Sequence, residues 1–200
     1  MYKVGITGGI GSGKTTVCKV FEVLGIPVFY ADTVAKEIMV SDQLLVEGVI
    51  STFGEESYTP EGELNKKHLA SIVFNNEAEL AKLNNLVHPA VFRAFEVWVK
   101  QIDQKVPYIV KEAALLFESD SYKMCDTSIL VTAPLSMKLE RVMHRDQVST
   151  DQVKARMDKQ MSDEEKAKMA DHFVVNDEQN SIIEQVLALH RQFLVVAKAY

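Results

Sequence analysis

The chain has 200 residues, 47% hydrophobic and 25% charged, with a formal net charge of −6; this is ordinary for a globular chain that buries a core without disulfides, and the acidic balance argues against non-specific nucleic-acid binding. The two cysteines, Cys18 and Cys125, show neither C-x-x-C nor zinc spacing and read as reduced thiols. No apolar run reaches the roughly 20 residues of a membrane span, and Lys3 and the first glycines break the opening apolar stretch, so a cytoplasmic protein without a signal peptide or membrane contact is expected.

Residues 2–7 are rich in β-branched side chains and bounded by glycine, which predicts a first strand. A glycine cluster follows, and then Val17, Val20, Phe21 and Leu24 recur at helical spacing, with Gly25 to end the helix and Pro27 just beyond. Residues 26–30 read as a second strand, and strand–helix–strand implies a parallel sheet. The block 33–105 is helical: Leu80, Leu83 and Val87 mark one face, and Val91, Phe95, Trp98 and Ile102 a second helix opened by Pro89. Strands are expected at 106–110, 127–132 and 172–176. Pro134 opens a helix carrying Leu135, Leu139, Val142 and Met143; residues 144–170 are charged and methionine-rich; and Ile183, Val186, Leu189, His190, Phe193 and Ala197 give the closing helix its apolar face. The expected fold is α/β: a parallel five-stranded sheet flanked by helices in a single domain. Its core is 1–32, 106–143 and 171–200, with helical insertions over 33–105 and 144–170.

The cluster Gly8-x-x-x-x-Gly13-Lys14-Thr15 has the spacing of a phosphate-binding loop. Glycine lets the backbone approach phosphate oxygens that a Cβ would repel. The amides over Gly9, Gly11, Ser12, Gly13, Lys14, Thr15 and Thr16 then form an anion nest at the positive end of a helix. Lys14 supplies a point charge for the β- and γ-phosphates, and the Thr15 hydroxyl suits Mg²⁺. At average composition those four fixed positions arise by chance in fewer than about one such chain in a hundred, and the strand-to-helix context fits.

The signatures of switch GTPases are missing: no Asp precedes Gly by three residues, and the one Asn-Lys pair runs Asn65-Lys66-Lys67-His68. A small kinase fits better: a P-loop domain in which 33–105 is the helical acceptor lobe and 144–170 the lid. Asp32, directly after the second strand, is placed to accept a hydroxyl proton, or else to cap the next helix. Glu112 could orient a metal through water, or be a solvated loop acid. Arg141 and Arg145 lie four apart on one helical face and, with Arg156, could offset charge on a transferring phosphoryl group; the alternative is a solvated charged helix. His88 reads either as a ligand-side residue or as a cap or packing residue before Pro89.

Several stretches in order along about 170 residues resemble one family, dephospho-coenzyme A kinase. They are VGITGGIGSGKTTV, Ala31-Asp32, Gly62 through Lys66 with Leu69 and Val73-Phe74, Leu83-Asn84 with His88-Pro89, Leu115-Leu116-Phe117-Glu118, Arg141 with Arg145-Asp146, and Ala170-Asp171 with Asn176. The resemblance implies transfer of the ATP γ-phosphate to the ribose 3′-hydroxyl of dephospho-coenzyme A, the last step of coenzyme A synthesis, with Mg²⁺ and no obligate protein partner. It implies Asp32 as base, Lys14, Arg141 and Arg145 as catalytic cations, and Asn176 with Arg141 on ATP. Lys66, His88, Arg93, Leu115 and Glu118 would lie toward the acceptor, and Arg145 and Arg156 in the lid. The sequence departs from the family pattern at Tyr30, Glu112, Ala114, Lys66, Arg93 and Glu178. A nucleoside or nucleoside monophosphate kinase on the same scaffold is the alternative, and a nucleotide-binding interaction module without transfer activity is a second.

Overall fold

A computed structural model describes residues 1–74 and 76–199. In chain order the elements are β1 (Tyr2–Thr7), α1 (Lys14–Val23), β2 (Val28–Tyr30), α2 (Ala31–Ser41), α3 (Gln43–Phe53), α4 (Lys66–Val73) and α5 (Glu77–Gln101). There follow β3 (Tyr108–Glu112), β4 (Thr127–Thr132), α6 (Leu135–Asp146), α7 (Thr150–Met157), α8 (Asp163–Ala167), β5 (His172–Val175) and α9 (Ile182–Ala197). These fall into two units, one of residues 1–30 with 102 onward and one of Ala31–Gln101.

The first unit is built on a five-stranded sheet of order β2-β3-β1-β4-β5, parallel at every pairing. Helices cover both faces of such a sheet, so its inner strands carry no alternation. All five residues of β3 are buried, and β1 and β4 are nearly so. Val4, Ile6, Val17, Phe21, Tyr108, Val110, Ile129, Val131, Val174, Val186 and Phe193 form one apolar cluster. α1 ends where Gly25 predicts: the Gly25 amide donates to the Glu22 carbonyl at 2.9 Å and the Ile26 amide to Phe21 at 3.0 Å, the paired bonds of a Schellman end.

Proline explains two shifts in strand position. The second strand begins at Val28, because Ile26 is used by the helix end and Pro27 has no amide to give; Pro27 contributes only its carbonyl, which accepts from Val110 at 2.9 Å. The third strand begins after Pro107 and reaches Glu112, whose partner across the ladder is Ile6. Two further expectations fail. Pro89 does not open a new helix but lies inside the 25-residue α5: losing one helical hydrogen bond is outweighed by burial of Ala90, Val91 and Phe95 on the same stripe. Ile183 is 59% exposed, and its neighbour Ile182 packs on the core instead.

β5 is an edge strand with Phe173 and Val175 exposed. The Gln185 side chain pairs with Val175 as a strand would: its amide oxygen accepts from the Val175 amide at 2.8 Å and its nitrogen donates to the Val175 carbonyl at 2.9 Å. In β3, Lys111 is fully buried with its ammonium 3.5 Å from the Met124 sulfur. Burial, reinforced by the Lys3 charge, pulls its pKa down to about 8.

Candidate active site

β1 ends at Thr7 and α1 begins after Gly13, so the glycine loop joins a central strand to a helix N-terminus. Packing as well as phosphate explains the glycines. A Cβ on Gly8 would run into the Val131 carbonyl of β4, and one on Gly13 into the Asn176 side-chain amide. Gly13 also holds φ at 94°, a conformation that L side chains rarely adopt. Asn176 follows β5, where its amide donates to the Thr132 carbonyl at 2.8 Å. Its side chain donates to the Ser12 carbonyl at 2.8 Å and accepts from the Arg141 guanidinium of α6 at 3.2 Å. Asn176 and Arg141 therefore brace the loop from the far end of the sequence.

Lys14 donates to the Gly8 carbonyl at 2.9 Å, across the mouth of the loop. Thr15 and Thr16 are exposed in the first turn of α1. Ser12 is fully buried, and its hydroxyl has no partner among the described residues. A strand-to-helix loop whose glycines leave no room for a Cβ, a lysine at its mouth and exposed hydroxyls at a helix N-terminus match the chemistry of a magnesium-bound triphosphate. Glu112 is 6% exposed at the carboxyl end of β3.

The segment read as a lid makes specific contacts with this loop. The Gln160 side-chain oxygen accepts from the Ile10 amide at 3.1 Å. Lys138 of α6 pairs with Asp163 of α8 at 2.8 Å, and that pair lies against Gly9, 3.0 Å from Asp163 to the position of an added Cβ. Lys166 is fully buried; it pairs with Glu118 at 3.1 Å and donates to the Ala114 carbonyl at 3.0 Å. Capping boxes at Ser149–Gln152 and Ser162–Glu165 start α7 and α8.

The three arginines do not converge. Arg141 stands by Gly13 through Asn176, whereas Arg145 and Arg156 both hold Asp146, at 2.7 and 2.6 Å. Those contacts, Arg145 foremost, hold the Asp146 carboxyl at about 2. Glu178, at φ 65°, lies 3.8 Å from Arg141 with its side chain 78% exposed, which makes that pair weak.

The second unit carries its own cavity of about 970 Å³. Asp32, Lys36, Glu63, Lys66 and Asn84 supply its polar side chains, and Met39 and Leu83 are among its apolar ones. Asp32 lies in the first turn of α2, Lys66 opens α4 behind its Asn65 cap, and Asn84 comes from α5. His88 and Arg93 are also on α5 but do not line the cavity. Burial lowers the His88 pKa, and Arg93 pairs with Asp42 at 2.8 Å. Leu115 and Glu118 belong to the first unit, where Glu118 is held by Lys166 and by the Met161 amide at 3.0 Å. Sequence reading missed Lys36, Lys138, Gln160 and Lys166; the i, i+4 spacing of Asp32 and Lys36 on one helix face was the available signal for the first.

A parallel sheet whose central strand runs into a braced glycine cradle, with a charged segment fastened to that cradle and a helical insertion holding a carboxylate- and lysine-lined cavity, defines a P-loop phosphotransferase. The family model described as dephospho-CoA kinase matches residues 2–182. A dephospho-CoA kinase of Salinibacter ruber is 43% identical over 88% of this chain and 89% of its own, and that of Coxiella burnetii is 36% identical over 99% of this chain and all of its own. The solved dephospho-CoA kinase of Campylobacter jejuni superposes with a TM-score of 0.70 at 28% identity, covering 98% of each chain. The chain belongs to the dephospho-CoA kinase family.

Proposed function

We propose that this protein transfers the γ-phosphoryl group of ATP to the ribose 3′-hydroxyl of dephospho-coenzyme A, giving coenzyme A and ADP, in the cytoplasm. The observation that supports this most is the Asn176-braced cradle in a chain that also carries an Asp32, Lys36 and Lys66 cavity: one feature has the chemistry of a triphosphate, the other that of an anionic, hydroxyl-bearing acceptor.

In this reading the loop amides and Lys14 take the phosphates, Lys14 reaching them from beside the Gly8 carbonyl. Asp32 accepts the proton of the 3′-hydroxyl as its oxygen bonds to the γ-phosphorus; the bond to the β–γ bridging oxygen breaks and the electron pair leaves with ADP. Arg141 offsets charge at the leaving side, and Arg145 and Arg156 reach the phosphates only by releasing Asp146. Lys36 and Lys66 meet the acceptor's phosphates. Thr15, with Glu112 acting through water, would hold Mg²⁺, which would supply neutralisation of the phosphate charge. Most of the acceleration comes from positioning and electrostatics.

An acceptor screen tests the proposal. With ATP and Mg²⁺, ADP release is measured with dephospho-coenzyme A, nucleoside monophosphates and nucleosides as acceptors. Dephospho-coenzyme A is expected to turn over fastest, with phosphate at the 3′ position by phosphorus NMR. Faster turnover of a nucleoside monophosphate, or ATP binding without any phosphorylated product, overturns it.

A further inference from the structure

A buried ammonium in a five-residue helix of a charged, polar segment is unusual, because desolvating a charge is costly unless it is compensated on site. Lys166 of α8 is fully buried and is compensated twice, by the Glu118 carboxylate at 3.1 Å and the Ala114 carbonyl at 3.0 Å. Each partner has a second bond. The Ala114 carbonyl also accepts from the Thr7 hydroxyl at 3.2 Å; Thr7 is buried and is the last residue before the glycine loop. Glu118 also accepts from the Met161 amide at 3.0 Å. One ammonium thus joins α8 to the turn that follows Glu112 and, through a shared carbonyl, to the root of the phosphate loop. The same stretch reaches the loop at two more points, Gln160 on the Ile10 amide and Asp163 on Lys138 beside Gly9.

We infer that Lys166 is a positioning residue for phosphoryl transfer: through Glu118 and Ala114 it fixes the turn after β3 and the base of the glycine loop, and residues 160–166 are a fixed wall of the nucleotide site. What remains to move as a lid is α7 and its flanks. This assignment rests on the kinase reading only for its turnover readout; ATP affinity reports on it without any acceptor.

The test compares Lys166→Met, Lys166→Arg and Glu118→Gln with the wild type, at a temperature where circular dichroism shows each fully folded. Calorimetric ATP affinity, kcat and the two KM values are measured. In Lys166→Met, of similar length but without charge, ATP affinity and kcat are expected to fall about tenfold or more, since small displacements of positioned groups carry penalties up to about a hundredfold. The KM for dephospho-coenzyme A should hold within about twofold. Lys166→Arg, which keeps the cation, should recover most of the loss. Glu118→Gln keeps an oxygen for Met161 but removes the compensating charge, and should shift ATP affinity in the same direction as Lys166→Met. If Lys166→Met does not fold, Glu118→Gln decides: a fall in ATP affinity supports the inference, and wild-type ATP affinity overturns it. Wild-type ATP affinity in folded Lys166→Met, or a Glu118→Gln effect confined to the acceptor KM, overturns the inference. Failure of the wild type to phosphorylate dephospho-coenzyme A would instead overturn the kinase reading and leave the affinity arm standing.

Discussion

Replacing Gly13 with alanine tests the cradle at its tightest point. Two costs arise. At φ 94° an L side chain is strained by about 1–2 kcal/mol. The new methyl also displaces the Asn176 amide, so the bond to the buried Ser12 carbonyl is lost, and leaving such a group unsatisfied costs about 1–3 kcal/mol. The sum is about 2–5 kcal/mol; expressed at the loop, it should lower kcat/KM for ATP by about thirtyfold to a few thousandfold, at tenfold per 1.4 kcal/mol. Asn176→Ala removes the brace directly and should lower kcat/KM by about tenfold. In that background the methyl meets no amide, and only the backbone strain remains. Adding Gly13→Ala to Asn176→Ala should therefore cost about 1–2 kcal/mol, less than it costs the wild type by the worth of the brace. Steady-state ADP release at saturating acceptor, run on all four proteins, measures this cycle. Additivity within about 0.5 kcal/mol, or near wild-type kinetics for Gly13→Ala, would refute the idea that Asn176 enforces glycine at residue 13.

Lys14→Ala should abolish turnover, and any surviving rate above about a tenth of wild type removes it from the phosphate site. Asp32→Asn is expected to lower kcat by about a hundredfold with little change in ATP affinity, and a near-normal kcat rules it out as the base. Lys66→Ala should raise the KM for dephospho-coenzyme A and leave that for ATP alone; equal changes in both contradict a role in the acceptor cavity. Lys111→Met should stabilise the protein near neutral pH. With the folded lysine at about 8 and the unfolded one in its ordinary range, the fold holds fewer protons than the unfolded chain between those values, so wild-type stability rises with pH across that window. The advantage of the methionine, up to about 3 kcal/mol at pH 7 by linkage, should therefore shrink as pH is raised from about 8 to 10. Denaturant midpoints that differ by the same amount at both ends would count against the buried charge.

The parts of the molecule legible in sequence are those set by short-range chemistry. The five strands, the glycine loop, the Gly25 helix end and the Pro134 helix start are written within a few residues of where they act. Pro89 misleads because a local rule was overridden by the burial of Ala90, Val91 and Phe95 just beyond it, and Ile183 because adjacent isoleucines leave the helical phase ambiguous. The braces around the cradle could not be read locally. Asn176 reaches Ser12 across 164 positions and Gln160 reaches Ile10 across 150, and no periodicity links such residues. The resemblance pointed to Asn176 and Glu118 but not to what each touches. Lys166, inside a run of charges, gives no sign in sequence that it is the one cation of that run to be fully buried.

The side-chain amide of Gln185 on Val175 has a consequence for how these molecules meet one another. Parallel sheets expose at their margin a row of donors and acceptors onto which a foreign strand can be laid, the usual first step toward fibrillar clumping. Here the apolar pair Phe173 and Val175 would make that margin adhesive, yet at Val175 both polar groups are already satisfied from within. Any incoming chain must first evict a well-seated glutamine.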